Sequence, residues 1–87
     1  MIKHTVVVPE GITIKREGHR YICSNGKHTI YIRHNYRTDD FDLYERNGTI
    51  GGNLLTSRGF LRDAKKDAID LLQGNTVVYG YNRKISL

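Results

Sequence analysis

With 87 residues, 38% of them hydrophobic, the chain is long enough for a single domain over residues 1–87 and too short for two separate cores. No apolar stretch approaches the roughly 18 residues of a membrane span, and one cysteine excludes an internal disulfide, so we expect a cytoplasmic protein without a membrane anchor. The net charge of +5 lies in residues 1–38, which hold seven Lys or Arg against two acids, whereas residues 39–87 hold seven of each. Such one-sided charge is typical of a chain that meets a polyanion or an acidic protein surface.

The chain begins with two predicted strands. The first covers residues 3–8 and ends at Pro9, and the second covers residues 12–16 and turns at Glu17-Gly18. The sequence leaves the position of these two strands in the sheet open.

The pair Asn25-Gly26 predicts a β-hairpin between residues 19–24 and 27–33, because this dipeptide favours a two-residue type I′ turn. Such a turn places Ile22 opposite Thr29. Since alternate residues of a strand point to opposite sides, the hairpin then has an apolar and a polar face. The apolar face holds Tyr21, Cys23, Ile30 and Ile32, and the polar face holds Arg20, Ile22, Ser24, Lys27, Thr29, Tyr31 and Arg33.

A second pair, Asn47-Gly48, predicts a hairpin between residues 41–46 and 49–54. A two-residue turn at this pair places Phe41 opposite Leu54. The hairpin then again has an apolar and a polar face. Residues 34–40, between the hairpins, lack apolar alternation and are predicted to form a surface loop. The apolar face holds Phe41, Leu43, Ile50 and Leu54, and the polar face holds Asp42, Tyr44, Arg46, Thr49 and Asn53.

A helix is predicted over residues 58–73, with Thr56 or Ser57 as N-cap and Gly74 as a left-handed C-terminal cap. A final strand follows over residues 76–81. The polar side of the helix is predicted to hold Arg62, Asp63, Lys66, Asp67 and Asp70 in solvent, and the apolar stripe to hold Phe60, Leu61, Ala64, Ala68, Leu71 and Leu72.

Together these elements predict an α+β fold, an antiparallel β-meander of about five to seven strands with one α-helix packed on one face. The other face of the sheet is then exposed. We interpret it as the binding surface, because cations neutralise phosphates and aromatic rings stack on unpaired bases. Arg and Tyr are also favoured on the exposed face of any sheet, which is the alternative explanation. The candidate binding residues are Arg20, Lys27, Tyr31, Arg33, Tyr36, Arg37, Tyr44 and Arg46.

Catalytic and metal-binding motifs are not apparent, so we expect no enzyme, no cofactor and no metal. The four histidines lack paired zinc-ligand spacings, and the predicted register puts His19 and His28 at opposite margins of the covered face with no carboxylate beside them. Cys23 is interpreted as a small core residue.

Strands followed by a helix containing Ala64-Lys65-Lys66-Asp67-Ala68 resemble, in outline, double-stranded-RNA-binding domains, in which lysines of such a helix contact phosphates. The sheet bearing Arg20, Tyr31, Arg33 and Arg46 is similar to the arm-binding domains of phage integrases, which present a three-stranded sheet to DNA. The short, basic, tyrosine-rich chain also resembles accessory early proteins of bacteriophages, which implies a host protein as partner.

Three functions therefore stand as hypotheses. The favoured one is non-enzymatic contact with nucleic acid through the exposed face. The second is an inhibitor or adaptor of phage type that docks on a host protein, such as a defence or nucleic-acid-handling complex, in the host cytoplasm. The third is a structural subunit that forms a homodimer through residues 76–81.

Overall fold

The computed structural model describes residues 6–45 and 53–87, and within them the predicted α+β fold is confirmed. A five-stranded antiparallel meander in the order β1-β2-β3-β4-β5 is covered on one face by a helix, and a separate two-stranded sheet follows. No helix in these ranges is long and apolar enough to cross a membrane. The elements are β1 (Thr13–Glu17), β2 (Arg20–Ser24), β3 (Thr29–Asn35), β4 (Asp40–Glu45), β5 (Asn53–Arg58), α1 (Leu61–Leu72), β6 (Val77–Tyr79) and β7 (Arg83–Ile85).

Strand β1 forms the edge of the meander and pairs with β2 through a tight turn at Gly18 and His19. Gly18 has a φ of 63°, a left-handed conformation that favours glycine. The strand predicted over residues 12–16 is thus confirmed with a shift of one residue. The strand predicted over residues 3–8 is wrong for its last three residues, which form no strand, and its other residues lie outside the described ranges.

The β2–β3 turn is longer than predicted. Ile22 lies opposite Tyr31 instead of Thr29, so the predicted register is wrong by two residues. The cause is the Asn25 side chain, whose Oδ1 accepts hydrogen bonds from the backbone N–H groups of Lys27 (2.8 Å) and His28 (2.7 Å). An Asn that bonds its own backbone in this way favours a wider turn. Because a shift of two residues preserves the alternation, the predicted faces of the hairpin are correct.

The Asn25 side chain also ties the turn to the helix. Its Nδ2 donates a hydrogen bond of 2.8 Å to the carbonyl oxygen of Leu72 at the end of α1. Carbonyl groups in the last turn of a helix lack a partner within the helix, so this contact satisfies one of them.

The second predicted hairpin has a different register from the one expected. Phe41 lies opposite Arg58, not Leu54, and β5 runs to Arg58 where the helix was predicted to begin. The turn at Asn47-Gly48 lies outside the described residues. The loop predicted over residues 34–40 is shorter, because β3 continues to Asn35 and β4 begins at Asp40.

The core lies between α1 and the covered face of the meander. Ala64 and Ala68 have no exposed surface, and their small side chains let the helix lie close to the sheet. Phe60 is 65% exposed, so its predicted place on the apolar stripe is wrong. The core consists of Ile12, Cys23, Ile30, Ile32, Leu43, Ala64, Ala68, Ile69, Leu71, Leu72 and Val77.

The predicted start of the helix is wrong. The N-cap is Phe60, which makes no side-chain capping bond, whereas Thr56 and Ser57 belong to β5. The Thr56 hydroxyl instead donates a 3.0 Å hydrogen bond to Asp67, which is buried on the sheet-facing side of α1 and not in solvent as predicted. A tertiary contact between the strand and the helix has therefore replaced a local cap.

The predicted end of the helix is confirmed. Gly74 has a φ of 85°, its N–H donates to Leu71 O (3.0 Å), and Asn75 N–H donates to Asp70 O (2.9 Å). The strand predicted over residues 76–81 is Val77–Tyr79, paired with β7 rather than with the meander. Buried Val77 connects this small sheet to the core.

Candidate nucleic-acid interface

The open face is the side of the meander opposite α1, and a row of large side chains crosses its middle. The register places one residue of each strand in this row, with Tyr31 and Tyr44 directly opposite each other on the adjacent interior strands β3 and β4. We call these residues the tyrosine row: Lys15, Ile22, Tyr31, Tyr44 and Leu54.

The next row on the same face, two residues along β1 to β4 and three residues along β5, carries two arginines and two acids. Arg20 and Arg33 are opposite each other and both exposed. The two rows are separated by about 7 Å, because a strand rises about 3.4 Å per residue. We call this set the arginine row: Glu17, Arg20, Arg33, Asp42 and Ser57.

Arg20 joins the two rows. Its guanidinium carbon lies 5.0 Å from the centre of the Tyr31 ring, within the range of a cation–π contact. Its Nη2 also donates a 3.0 Å hydrogen bond to Glu17 Oε1, an exposed pair that contributes little to stability. Arg33 makes no ion pair with any residue in 6–45 or 53–87. Among the described residues Arg33 thus has no competing ion pair, whereas Arg20 has only a weak, exposed one.

Asp42 places a negative charge on the same face as these cations. Although it belongs to the open face it is buried, and its carboxylate accepts hydrogen bonds from Ser57 (2.5 Å), Asn35 (3.3 Å) and the Tyr44 hydroxyl (3.4 Å). The long bond from Tyr44 directs its hydroxyl towards Asp42. The negative charge on β4 restricts the basic surface to β1, β2 and β3.

The other predicted binding residues lie apart from the two rows. Lys27 is exposed in the β2–β3 turn, at the opposite end of that hairpin from Arg20. Tyr36 and Arg37 are exposed in the β3–β4 turn. The Tyr36 ring contacts His34, at 4.4 Å between ring centres, and His34 belongs to the covered face. Arg46 lies outside the described residues.

The sequence analysis placed Leu54 on the wrong face and did not place Lys15, Glu17 or Ser57 on the open face. Leu54 was predicted on the covered face, but it lies opposite Tyr44 and is 55% exposed. A β-bulge shifts the register between Leu43 and Tyr44, and a shift of one residue moves a side chain to the other side of the sheet. The pattern of residues 49–54 contains no signal for this bulge.

No family model matches the chain, and neither the curated proteins nor the solved structures contain a significant match. Its function is therefore inferred from its own residues.

The histidines are placed differently from the prediction. His19 and His28 are exposed in turns and do not reach the core margin. His34 has a carboxylate beside it, since its Nε2 lies 2.8 Å from Asp39 Oδ1 across the β3–β4 turn. Within residues 6–45 and 53–87, no group of three or more His, Cys, Asp or Glu side chains is arranged to hold a metal ion.

Cys23 has no exposed surface, and burial raises the pKa of its thiol from 9.0 to about 11, partly offset by Lys65. The unfolded chain loses the thiol proton near pH 9, before the folded protein does. The stability contributed by the neutral thiol is thus fully present below pH 9 and is lost as the pH rises towards 11.

We expect the free energy of unfolding to fall by about 2 kcal/mol between pH 8 and pH 10.5 because of this group, at about 1.4 kcal/mol per pKa unit. Urea unfolding at both pH values measures it. The control is Cys23→Ala, which lacks the thiol and keeps every other ionisable group. An equally steep loss of stability in Cys23→Ala would contradict the prediction.

Proposed function

We propose that the chain is a non-enzymatic binding protein whose open face contacts nucleic acid. The observation that carries this proposal is the pair of parallel rows, about 7 Å apart along the strands, on a face that α1 leaves uncovered: one row carries Arg20 and Arg33, and the other carries Tyr31 and Tyr44. Cations beside aromatic rings suit a ligand that offers phosphates and bases at similar spacing. A free buried cysteine suits a reducing compartment, so we place this activity in the cytoplasm.

The proposal is tested by fluorescence anisotropy with labelled single-stranded DNA, duplex DNA and duplex RNA at about 50 and 200 mM salt. Affinity falls by about 0.7 to 0.9 log units per log unit of salt for each neutralised phosphate. Three such contacts predict a loss of about 15- to 40-fold over this fourfold change.

The decisive variant is Arg20→Glu/Arg33→Glu, which we expect to abolish binding. Its matched control is Arg83→Glu/Lys84→Glu, which makes the same change in net charge on exposed residues of β7, outside the open face. Equal loss in both variants would mean that net charge alone drives binding and that the open face is not the site. No binding at 50 mM salt to any of the three probes would overturn the proposal.

A protein partner is the second candidate, and the exposure of Leu54 beside Tyr44 favours it. Tyrosine and arginine are among the residues that dominate protein interfaces, and Leu54 adds exposed apolar surface beside them. In this case Leu54→Ala and Tyr44→Ala would weaken the complex more than Arg20→Glu, and pull-down would recover the partner, such as a host defence or nucleic-acid-handling complex. Light scattering would reveal a homodimer, the third hypothesis.

A further inference from the structure

We infer that the nucleic acid on the open face is single-stranded, with unpaired bases on the tyrosine row and phosphates on the arginine row. This inference rests on the proposed function and adds to it the class of nucleic acid. It starts from the width of the face.

Five strands spaced about 4.8 Å apart have backbones that span roughly 19 Å. The major groove of B-DNA is about 12 Å wide and admits a helix or a two-stranded ribbon. Tyr31 and Tyr44 lie on the interior strands β3 and β4, and not on the edge strands β1 and β5, which alone could enter a groove. A duplex could therefore reach the arginines but not the rings.

The rings are arranged as a platform for bases. Tyr31 and Tyr44 are cross-strand neighbours, and Ile22 and Leu54 extend the row on either side. Three intervals of about 4.8 Å give the platform a length of roughly 14 Å, enough for two or three bases. The 3.4 Å contact of the Tyr44 hydroxyl with Asp42 favours one orientation of this ring before a ligand arrives. Such preorganisation lowers the entropic cost of binding.

The charged side chains of the open face determine where the phosphates of the ligand bind. Arg20, which lies over the Tyr31 ring, and exposed Arg33 place two guanidinium groups beside the row on β2 and β3. On β4 the carboxylate of Asp42 repels phosphates. The phosphates of the ligand are thus held over β2 and β3 only. This limits the bound part of the nucleic acid to a short segment.

The test compares a labelled 12-nucleotide oligothymidylate with a 12-base-pair DNA duplex and a 12-base-pair RNA duplex. The wild-type protein is expected to bind the single strand at least tenfold more tightly than either duplex. Tyr31→Leu/Tyr44→Leu keeps two apolar side chains and removes both rings, so it should lose roughly 5- to 150-fold in single-strand affinity, the range for one stacked base. Tyrosine emission reports stacking directly, since the chain has no Trp.

The matched control is Tyr81→Leu, because Tyr81 is fully exposed in the β6–β7 turn. It should leave affinity and the quenching of tyrosine emission by the oligonucleotide nearly unchanged. Equal affinity for single strand and duplex, lost in Arg20→Glu/Arg33→Glu and unaffected in Tyr31→Leu/Tyr44→Leu, would overturn the single-strand inference and leave the proposed function standing. Absence of binding to all three probes would overturn both. The comparison of probes on the wild-type protein decides the question even if the tyrosine variant does not fold.

Discussion

Replacing Asp67 by alanine is expected to lower the free energy of unfolding by about 2 to 3 kcal/mol. The Asp67 carboxylate accepts hydrogen bonds from Thr56 Oγ1 (3.0 Å) and from Arg58 Nε (2.5 Å). Removing one partner of a buried ion pair costs about 3 to 5 kcal/mol, because the other charge is left buried. Here the Arg58 side chain is 31% exposed, so water reduces that cost. Urea unfolding followed by circular dichroism measures the change.

The same substitution should loosen the second sheet. Arg58 also donates to the carbonyl oxygen of Val78 (3.4 Å), and its guanidinium lies 5.3 Å from the Tyr79 ring. Without Asp67 the guanidinium loses the contact that orients it towards β6. Hydrogen exchange at β6 amides should therefore accelerate in Asp67→Ala.

The matched control is Asp70→Ala, which removes a carboxylate from the same helix with the same change in net charge. Asp70 is exposed, and its side chain makes no hydrogen bond or ion pair with the described part of the chain. Exposed substitutions of this kind usually change stability by less than about 0.5 kcal/mol. Equal unfolding midpoints for the two variants would show that the Asp67 cluster does not stabilise the fold.

The faces of the β2–β3 hairpin could be predicted from sequence although its register could not. A register shift by an even number of residues leaves each side chain on the same face of the sheet, and the shift here is two residues. The turn itself was decided by Asn25, whose side chain bonds both its own turn and Leu72, 47 residues away. A contact of that range is not encoded in a dipeptide preference.

The β4–β5 pairing shows where local reasoning fails. The bulge beside Tyr44 makes an odd shift, so Leu54 changes sides. Thr56 was an equally good helix cap by residue type, but its hydroxyl instead meets Asp67, a residue that the helical pattern assigned to solvent. The sequence shows that a residue is polar. Only the packed structure determines whether that residue is buried with a hydrogen-bond partner.

The candidate site was likewise predicted in part. The sequence indicated that Arg20, Tyr31, Arg33 and Tyr44 share one side of the sheet, because each hairpin could be divided into faces by itself. It could not indicate that Tyr31 and Tyr44 are neighbours, since that depends on the β3–β4 register and on a turn that was predicted as a longer loop. The adjacency of the rings is the feature on which the single-strand inference depends.

Replacing Ile32 by alanine is expected to lower the free energy of unfolding by about 3 kcal/mol, within the roughly 2 to 5 kcal/mol found for such truncations in cores. Ile32 has no exposed surface and lies on the central strand between Tyr21 and Leu43, facing α1. Neighbours on both sides and a helix above prevent the site from collapsing, so a cavity remains. Urea unfolding at neutral pH measures the loss.

Ile22→Ala is the matched control, because it removes the same atoms from the adjacent strand on the opposite side of the sheet. Ile22 is only partly buried on the open face, so its truncation creates no closed cavity and should cost less than about 1 kcal/mol. The pair therefore tests which side of the sheet is the core. If Ile22→Ala were the more destabilising variant, the open face would be covered in solution, by a second copy or by another part of the chain, and could not present Tyr31 and Tyr44 to a ligand.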